Sequence, residues 1–327
     1  MVPGDKGYRP EAGFLTERIN TLSKSYPEQL PDFKVHEYSP LLDSANMSPS
    51  DWEQIASDIE SHYTEFDGFV ILHGTDTMAY SASALSFMLE ELSKPVIFTG
   101  SQIPIGQIRS DAIDNIIGSL LIAGYQAIPE VAIYFHNHLY RGNRCQKVDA
   151  SGFDAFASPN FPPLANVGTK IEINQSIINK FPRNSFKVQR ITPPKIITMN
   201  LFPGFDASII QALTEQKIDG IILRTYGVGN APVQNKALLQ ALEHAHQQGI
   251  VIVNCTQCFQ GHVDMSGYET GTALMNAGVV SGADMTVEAA LSKLYYLFNI
   301  GLEQQQIETK MQQNLRGELT RPSTTSV

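Results

Sequence analysis

Thr75, Asp76 and Thr77 place two hydroxyls and a carboxylate side by side, and Lys147 lies further along the same half of the chain. A threonine hydroxyl attacks carbonyls poorly until a base takes its proton. A lysine can be that base when burial or neighbours lower its pKa, and a carboxylate can hold the lysine in place. Thr75, Lys147 and Asp76 therefore form a workable set for nucleophile activation. Plainer readings stand beside this one. Thr75 or Asp76 could be a helix N-cap, and Lys147 a solvated surface lysine.

Other clusters point to less. Cys255-Thr-Gln-Cys258 has no second ligand pair for zinc. It also follows a predicted strand instead of opening a helix, so two buried, inert thiols are expected. His136 and His138 could share a strand face, but no acidic or His cluster accompanies them. His73 is expected to be a packed, hydrogen-bonded turn residue. Arg224-Thr-Tyr-Gly-Val-Gly-Asn230 lacks the G-x-G-x-x-G spacing of a dinucleotide site. No metal and no organic cofactor is expected.

The elements around Thr75 explain its placement. Gly68-Phe-Val-Ile-Leu72 has the length and apolarity of a buried strand, and Met78, Leu85, Met88 and Leu89 follow as an apolar helix. Strand, polar turn, helix is half of a βαβ unit, and in parallel α/β sheets chemistry sits at the carboxyl ends of strands. Further turns of this kind carry Asp43 and Ser44, then Ser101 and Gln102, then Arg141 to Lys147. Strands are predicted at Phe33–Tyr38, Pro95–Gly100 and Val131–Phe135. Helices are predicted from Phe14, from Ser48 or Ser50, and from Ser110-Asp111. Residues 1–10 read as a loop, and Lys170–Asn174 as part of a hairpin region. The alternation resumes with strands at Ile196–Leu201, Gly220–Leu223 and Ile250–Asn254. Helices are predicted at Ala207–Leu213, Asn235–His246, 286–298 and 302–314. The fold class is α/β, with two α/β domains built on mostly parallel sheets. The expected division is a domain over 1–177 carrying the site, a linker over 178–194 ending in Pro193-Pro194, and a smaller domain over 195–327.

Composition narrows the partners. A net charge of −10 and no Lys/Arg run argue against nucleic acid. No apolar run is long enough to span a bilayer, and the N-terminus lacks the apolar core of a signal peptide. Three cysteines do not make a disulfide framework, so a reducing cytoplasm is the expected location.

The chain resembles the bacterial L-asparaginases, most of all their cytoplasmic type. The motifs that carry the resemblance run in order through almost the whole chain. They include Tyr38-Ser-Pro-Leu-Leu-Asp-Ser44, His73-Gly-Thr-Asp-Thr-Met78, Phe98-Thr-Gly-Ser-Gln-Ile-Pro104, Tyr140-Arg-Gly-Asn143, Tyr226-Gly-Val-Gly-Asn230 and Asn314-Leu-Arg-Gly-Glu-Leu319. The resemblance implies hydrolysis of L-asparagine to L-aspartate and ammonia, by a homodimer or a dimer of dimers. It makes Thr75 the second active-site threonine, Asp76 the holder of the substrate amino group, and Lys147 the lysine of a Thr-Lys-Asp proton relay. Ser44 and Asp43 become binders of the substrate's α-carboxylate and amine, and Tyr8 a lid tyrosine. Arg224 corresponds to a residue of an effector site in some cytoplasmic relatives.

The resemblance also implies a first strand ending in Thr-Gly-Gly-Thr-Ile-Gly, whose threonine forms the acyl-enzyme. Met1 to Tyr8 align just after that motif. The expectation is that the first strand of the N-terminal domain and the primary nucleophile are missing from the chain as printed, leaving it inactive or nearly so. Two other readings accompany this one. One is a related amidase such as the asparaginase-like subunit of a tRNA amidotransferase. The other is a non-catalytic amino-acid-binding or regulatory protein.

Overall fold

The computed structural model describes residues 11–267 and 269–320 in full, and the backbone alone of 2–4 and 7–9. The chain forms two compact units. Unit 1 runs to Ser158 and resumes over Pro162–Val188; unit 2 comprises Pro159–Phe161 and the chain from Gln189 onward.

Unit 1 opens with β1 (Val2–Gly4) and β2 (Gly7–Arg9), paired antiparallel with Gly4 opposite Gly7. A loop was the sequence expectation here; the described backbone instead pairs these residues as two strands. Helix α1 (Phe14–Ser25) buries Ile19. Phe33–Tyr38, expected as a strand, runs without regular secondary structure. Its alternating pattern suits a strand, but a ladder needs a neighbour, and no described strand pairs with it. Helix α2 (Pro49–His62) starts at Ser48, whose N–H donates to the Asp51 carboxylate at 2.7 Å. It buries the expected face of Trp52, Ile55 and Ile59.

Then follow β3 (Phe69–Leu72), α3 (Met78–Met88), β4 (Leu89–Glu90), β5 (Val96–Thr99), α4 (Ala112–Tyr125), β6 (Val131–Phe135) and β7 (His138–Arg141). The unit is completed by β8 (Gln146–Lys147), β9 (Phe156–Ala157), β10 (Ala165–Val167), β11 (Ile171–Ile173) and β12 (Lys187–Val188). The main sheet has the order β11-β10-β7-β6-β5-β3. β3, β5 and β6 are parallel, whereas β6, β7, β10 and β11 pair antiparallel. The sheet is therefore mixed, not mostly parallel. His136 and Asn137 adopt positive φ (46° and 66°) and turn the chain straight back, with no crossover helix. Helix α3 is buried at every position except Tyr80. Its chain of small and apolar residues suits a helix enclosed on all sides. Residues 178–188 were expected as linker, but here they are tied to unit 1. β12 pairs with β4, and the Asn179 N–H donates to the Glu130 carboxylate at 2.6 Å.

Unit 2 is a four-stranded sheet, β13 (Ile196–Asn200), β14 (Gly220–Thr225), β15 (Val251–Thr256) and β16 (Val279–Ser281), in that order and parallel throughout. Helices α5 (Ser208–Glu215), α6 (Lys236–Gln247), α7 (Glu269–Asn276), α8 (Val287–Phe298) and α9 (Gln304–Met311) complete it. Asn235 caps α6 through the Leu238 N–H, and Thr286 caps α8 through the Ala289 N–H. In the sheet, β14 and β15 contribute Ile221, Leu223 and Ile252, which pack against Leu238 and Leu242 of α6.

One ion pair lies wholly inside unit 2. Lys293 Nζ sits 2.6 Å from Glu318, and both side chains are fully buried. The ammonium also donates to the carbonyls of Met311 and Gln313, while the carboxylate accepts from the N–H groups of Leu315 and Arg316. Removing one partner of such a pair strands the other charge in the interior. Lys293→Met is expected to cost about 3–5 kcal/mol in urea unfolding, and Lys293→Met with Glu318→Leu clearly less. Equal losses for the single and double variants would count against this account.

Candidate active site

Parallel strands β3 and β5 end side by side. The His73 N–H donates to the Thr99 carbonyl at 2.8 Å, prolonging the ladder one residue beyond β3. Gly100 allows this closeness, since a Cβ there would stand 2.2 Å from the His73 carbonyl oxygen. Asn115 of α4 fastens the next strand end, donating to the Gly100 carbonyl at 2.9 Å and accepting from the His136 N–H at 3.1 Å.

From this platform the turn His73–Thr77 projects at the start of α3. Lys147, on β8, reaches it from the other side of the sequence. Its Nζ donates to Thr75 Oγ1 and to Asp76 Oδ1, each at 2.8 Å. Thr75 Oγ1 in turn donates to Gln102 Oε1 at 3.2 Å. Thr75 is half-buried, and the Asp76 and Lys147 side chains keep 62% and 21% of their surface exposed. The group is thus open to a ligand from solvent while its members remain bonded to one another. Neither Thr75 nor Asp76 caps α3. Thr77 is the residue ahead of the helix, and its hydroxyl donates to the Ser44 carbonyl at 2.7 Å instead.

Ser44 is buried against this turn so closely that a Cβ on Gly74 would lie 2.2 Å from its hydroxyl oxygen. Asp43 precedes a single 3-10 turn (Ser44–Asn46). Its carboxylate accepts from the Ala45 N–H and the Asn46 side-chain amide. The Tyr8 side chain lies outside the described residues. Arg224 is on β14 of unit 2, and its buried Nε makes no hydrogen bond. Cys255 is buried but Cys258 is exposed, correcting the expectation of two buried thiols: β15 ends at Thr256 and the chain turns outward. His138 bonds Asn166 at 2.8 Å, and among the described residues no group of three His, Cys, Asp or Glu could hold a metal.

The family model "Asparaginase, N-terminal" matches residues 6–179, and "Glutaminase/Asparaginase C-terminal domain" matches residues 195–311. The chain belongs to the asparaginase family. Among the relatives of this asparaginase-family chain, L-asparaginase 1 of Escherichia coli K12 is 51% identical over 320 residues, covering 98% of this chain and 94% of its own. The 60 kDa lysophospholipase of Mus musculus is 46% identical over 96% of this chain, which spans 56% of that longer protein. The crystal structure of L-asparaginase I from Vibrio cholerae superposes with a TM-score of 0.91 at 49% identity, covering 95% of this chain and 94% of the other.

Two residues around the Thr75 turn of this asparaginase-family chain escaped the sequence reading as functional groups. Gln102 had been noted only as a polar residue at a strand end. His73 is the packed turn residue expected, but its bonds give it a task. Its Nδ1 is 2.6 Å from the Gly74 carbonyl, and its Nε2 is 2.9 Å from Ser81 Oγ, which accepts from Trp52 Nε1 at 3.0 Å. The hydroxyl proton of Ser81 is therefore free for Nε2, and His73 Nδ1–H holds the Gly74 carbonyl. Burial holds the imidazole below its ordinary pKa of 6.5. The unfolded chain then takes up this proton first as pH falls, so the stability due to a neutral His73 is complete above pH 6.5 and lost below it. His73→Gln is expected to flatten that part of the stability profile, measured by urea unfolding between about pH 7 and 5.

Proposed function

We propose that the protein hydrolyses L-asparagine to L-aspartate and ammonia through a threonine acyl-enzyme. The observation that carries this reading is the bonded set Lys147–Thr75–Asp76, formed by residues from a turn and a distant strand. Lys147 would hold and pass the proton at Thr75, and Asp76 would hold the lysine and the substrate's α-ammonium. Ser44 and Asp43 would bind the remaining α-amino-acid groups, and Tyr8 would act as a lid. Negative charge on the tetrahedral oxygen needs donors fixed in advance. The backbone N–H groups of Thr75 and Asp76 suit this, because among the described residues no group accepts from them.

The partners of Thr75 and Lys147 in the described set are each other, Asp76 and Gln102, none of them a second threonine. The reading places the attacking threonine on a further strand pairing with β3. β3 is the edge strand among those described, and its four apolar residues are only half-buried. Val70 and Leu72 meet Phe33 and Val35 of the unpaired extended segment at a small apolar cluster. A parallel strand seated on β3 would cover this edge, as parallel sheets require, and would end beside Thr75. The reading extends to a cytoplasmic homodimer or dimer of dimers, measurable by light scattering, and to Arg224 as part of an effector site.

A related amidase or a binding protein without turnover would keep the amino-acid contacts but not the same chemistry. Ammonia release from asparagine, measured on the 327-residue chain and on one carrying the coding sequence upstream of Met1, separates them. Turnover is expected when the strand with the threonine is present, whereas a stop codon in place of an in-frame strand directly upstream would favour the binding protein. In the active form Lys147→Met is expected to lower kcat by about 10²–10⁴-fold with the fold intact. Gly74→Ala, which drives a methyl into Ser44, is expected to weaken L-aspartate binding about tenfold in calorimetry. Unchanged kcat in Lys147→Met would sink the relay.

A further inference from the structure

Gln102 joins two parts of unit 1 that share no strand. Its backbone is pinned from behind: the Asp111 carboxylate accepts from the N–H of Gln102 at 3.1 Å and of Ile103 at 3.0 Å. Its side chain faces Thr75 on one side and the loop between β8 and β9 on the other. Nε2 donates to the Gly152 carbonyl at 3.0 Å and approaches the Asp149 carbonyl at 3.5 Å. That loop is itself an ordered turn, with Asp149 Oδ1 accepting from the N–H groups of Ser151 and Gly152.

These contacts allow one orientation of the amide. Reversed, Gln102 would point its oxygen at two carbonyl oxygens, and none of the three could donate. Oε1 must therefore face Thr75, and Oε1 can only accept. A threonine hydroxyl has one proton, so Thr75 spends it on Gln102 and meets Lys147 through a lone pair. The donors Lys147, Thr75 and Gln102 then point the same way, down to the Gly152 carbonyl, and such chains polarise one another.

We propose that Gln102 is a positioning residue that sets the direction of the Thr75–Lys147 hydrogen bond, keeping the Thr75 proton away from the lysine and Lys147 in its donating form. The proposal rests on Thr75 and Lys147 being the relay pair of the reaction proposed above. Passing the Thr75 proton to an unprotonated Lys147 requires the hydroxyl to leave Gln102 and turn. The O–H bond then breaks, an Nζ–H bond forms, and the negative charge remains on Oγ1. Gln102 opposes that turn until substrate offers Thr75 a new partner.

The test reads Lys147 directly. Acetic anhydride acylates only unprotonated lysine, and mass spectrometry of the 327-residue chain follows Lys147 alone. In Gln102→Met the freed hydroxyl can donate to Nζ, the ammonium loses an acceptor, and Lys147 is expected to acylate about threefold faster near pH 8. Thr75→Val removes the same acceptor and is expected to give a similar rise. Adding Gln102→Met to Thr75→Val is expected to change nothing further, because Gln102 acts through Thr75. An unchanged rate in Gln102→Met overturns the proposal. So does a rise that persists in the Thr75→Val background, which would mean that the variant merely loosens the Asp149–Gly152 loop. Acylation as expected in a protein that never releases ammonia from asparagine would defeat the proposed reaction and leave the role of Gln102 standing.

Discussion

Lys147 brings one ammonium to two acceptors, Thr75 and Asp76, that adjoin each other in the chain and lie far from it in sequence. The rest of unit 1 is arranged so that this meeting can occur. β3 and β5 must end level, which the glycine at position 100 permits. Asn115 must hold the ends of β5 and β6 together, and the β8–β9 hairpin must return the lysine to the same rim. An ammonium in such a place is favourable only if both acceptors are fixed before it arrives, because each bond replaces one to water. The His73, Ser81 and Trp52 bonds beneath the turn supply that fixity from the interior side.

Much of this was legible in the sequence where the cause is local. The Ser48 start of α2, the apolar run of β3 and the helix after it are short-range patterns, and the structure has them. The helix expected at Asn235–His246 is likewise present, as α6. Thr75, Asp76 and Lys147 were identified by residue type and by family resemblance. Their actual meeting depends on strand order, which no local pattern encodes.

The misreadings share a physical cause. Phe33–Tyr38 has the composition of a strand, but a strand is a relation between two segments. A mostly parallel sheet was expected, yet the positive φ values of His136 and Asn137 make that turn the hinge that makes the sheet mixed. Gln102 drew little attention because a glutamine near a turn is ordinary. Its significance lies in which atoms it meets, Thr75 on one side and Gly152 on the other.

The ion pair inside unit 2 has a consequence for the timing of folding. Lys293 belongs to α8, but the carboxylate that neutralises it and the carbonyls that receive its protons come from residues 311–318, near the end of the described chain. Until those residues have left the ribosome, closing the interior around α8 would enclose an uncompensated charge, which the interior does not tolerate. Unit 1 has all its strands well before that point. During synthesis the half with the Thr75 site can settle first, as amino-terminal units generally do, whereas the second half must wait for residues 311–318 before it locks.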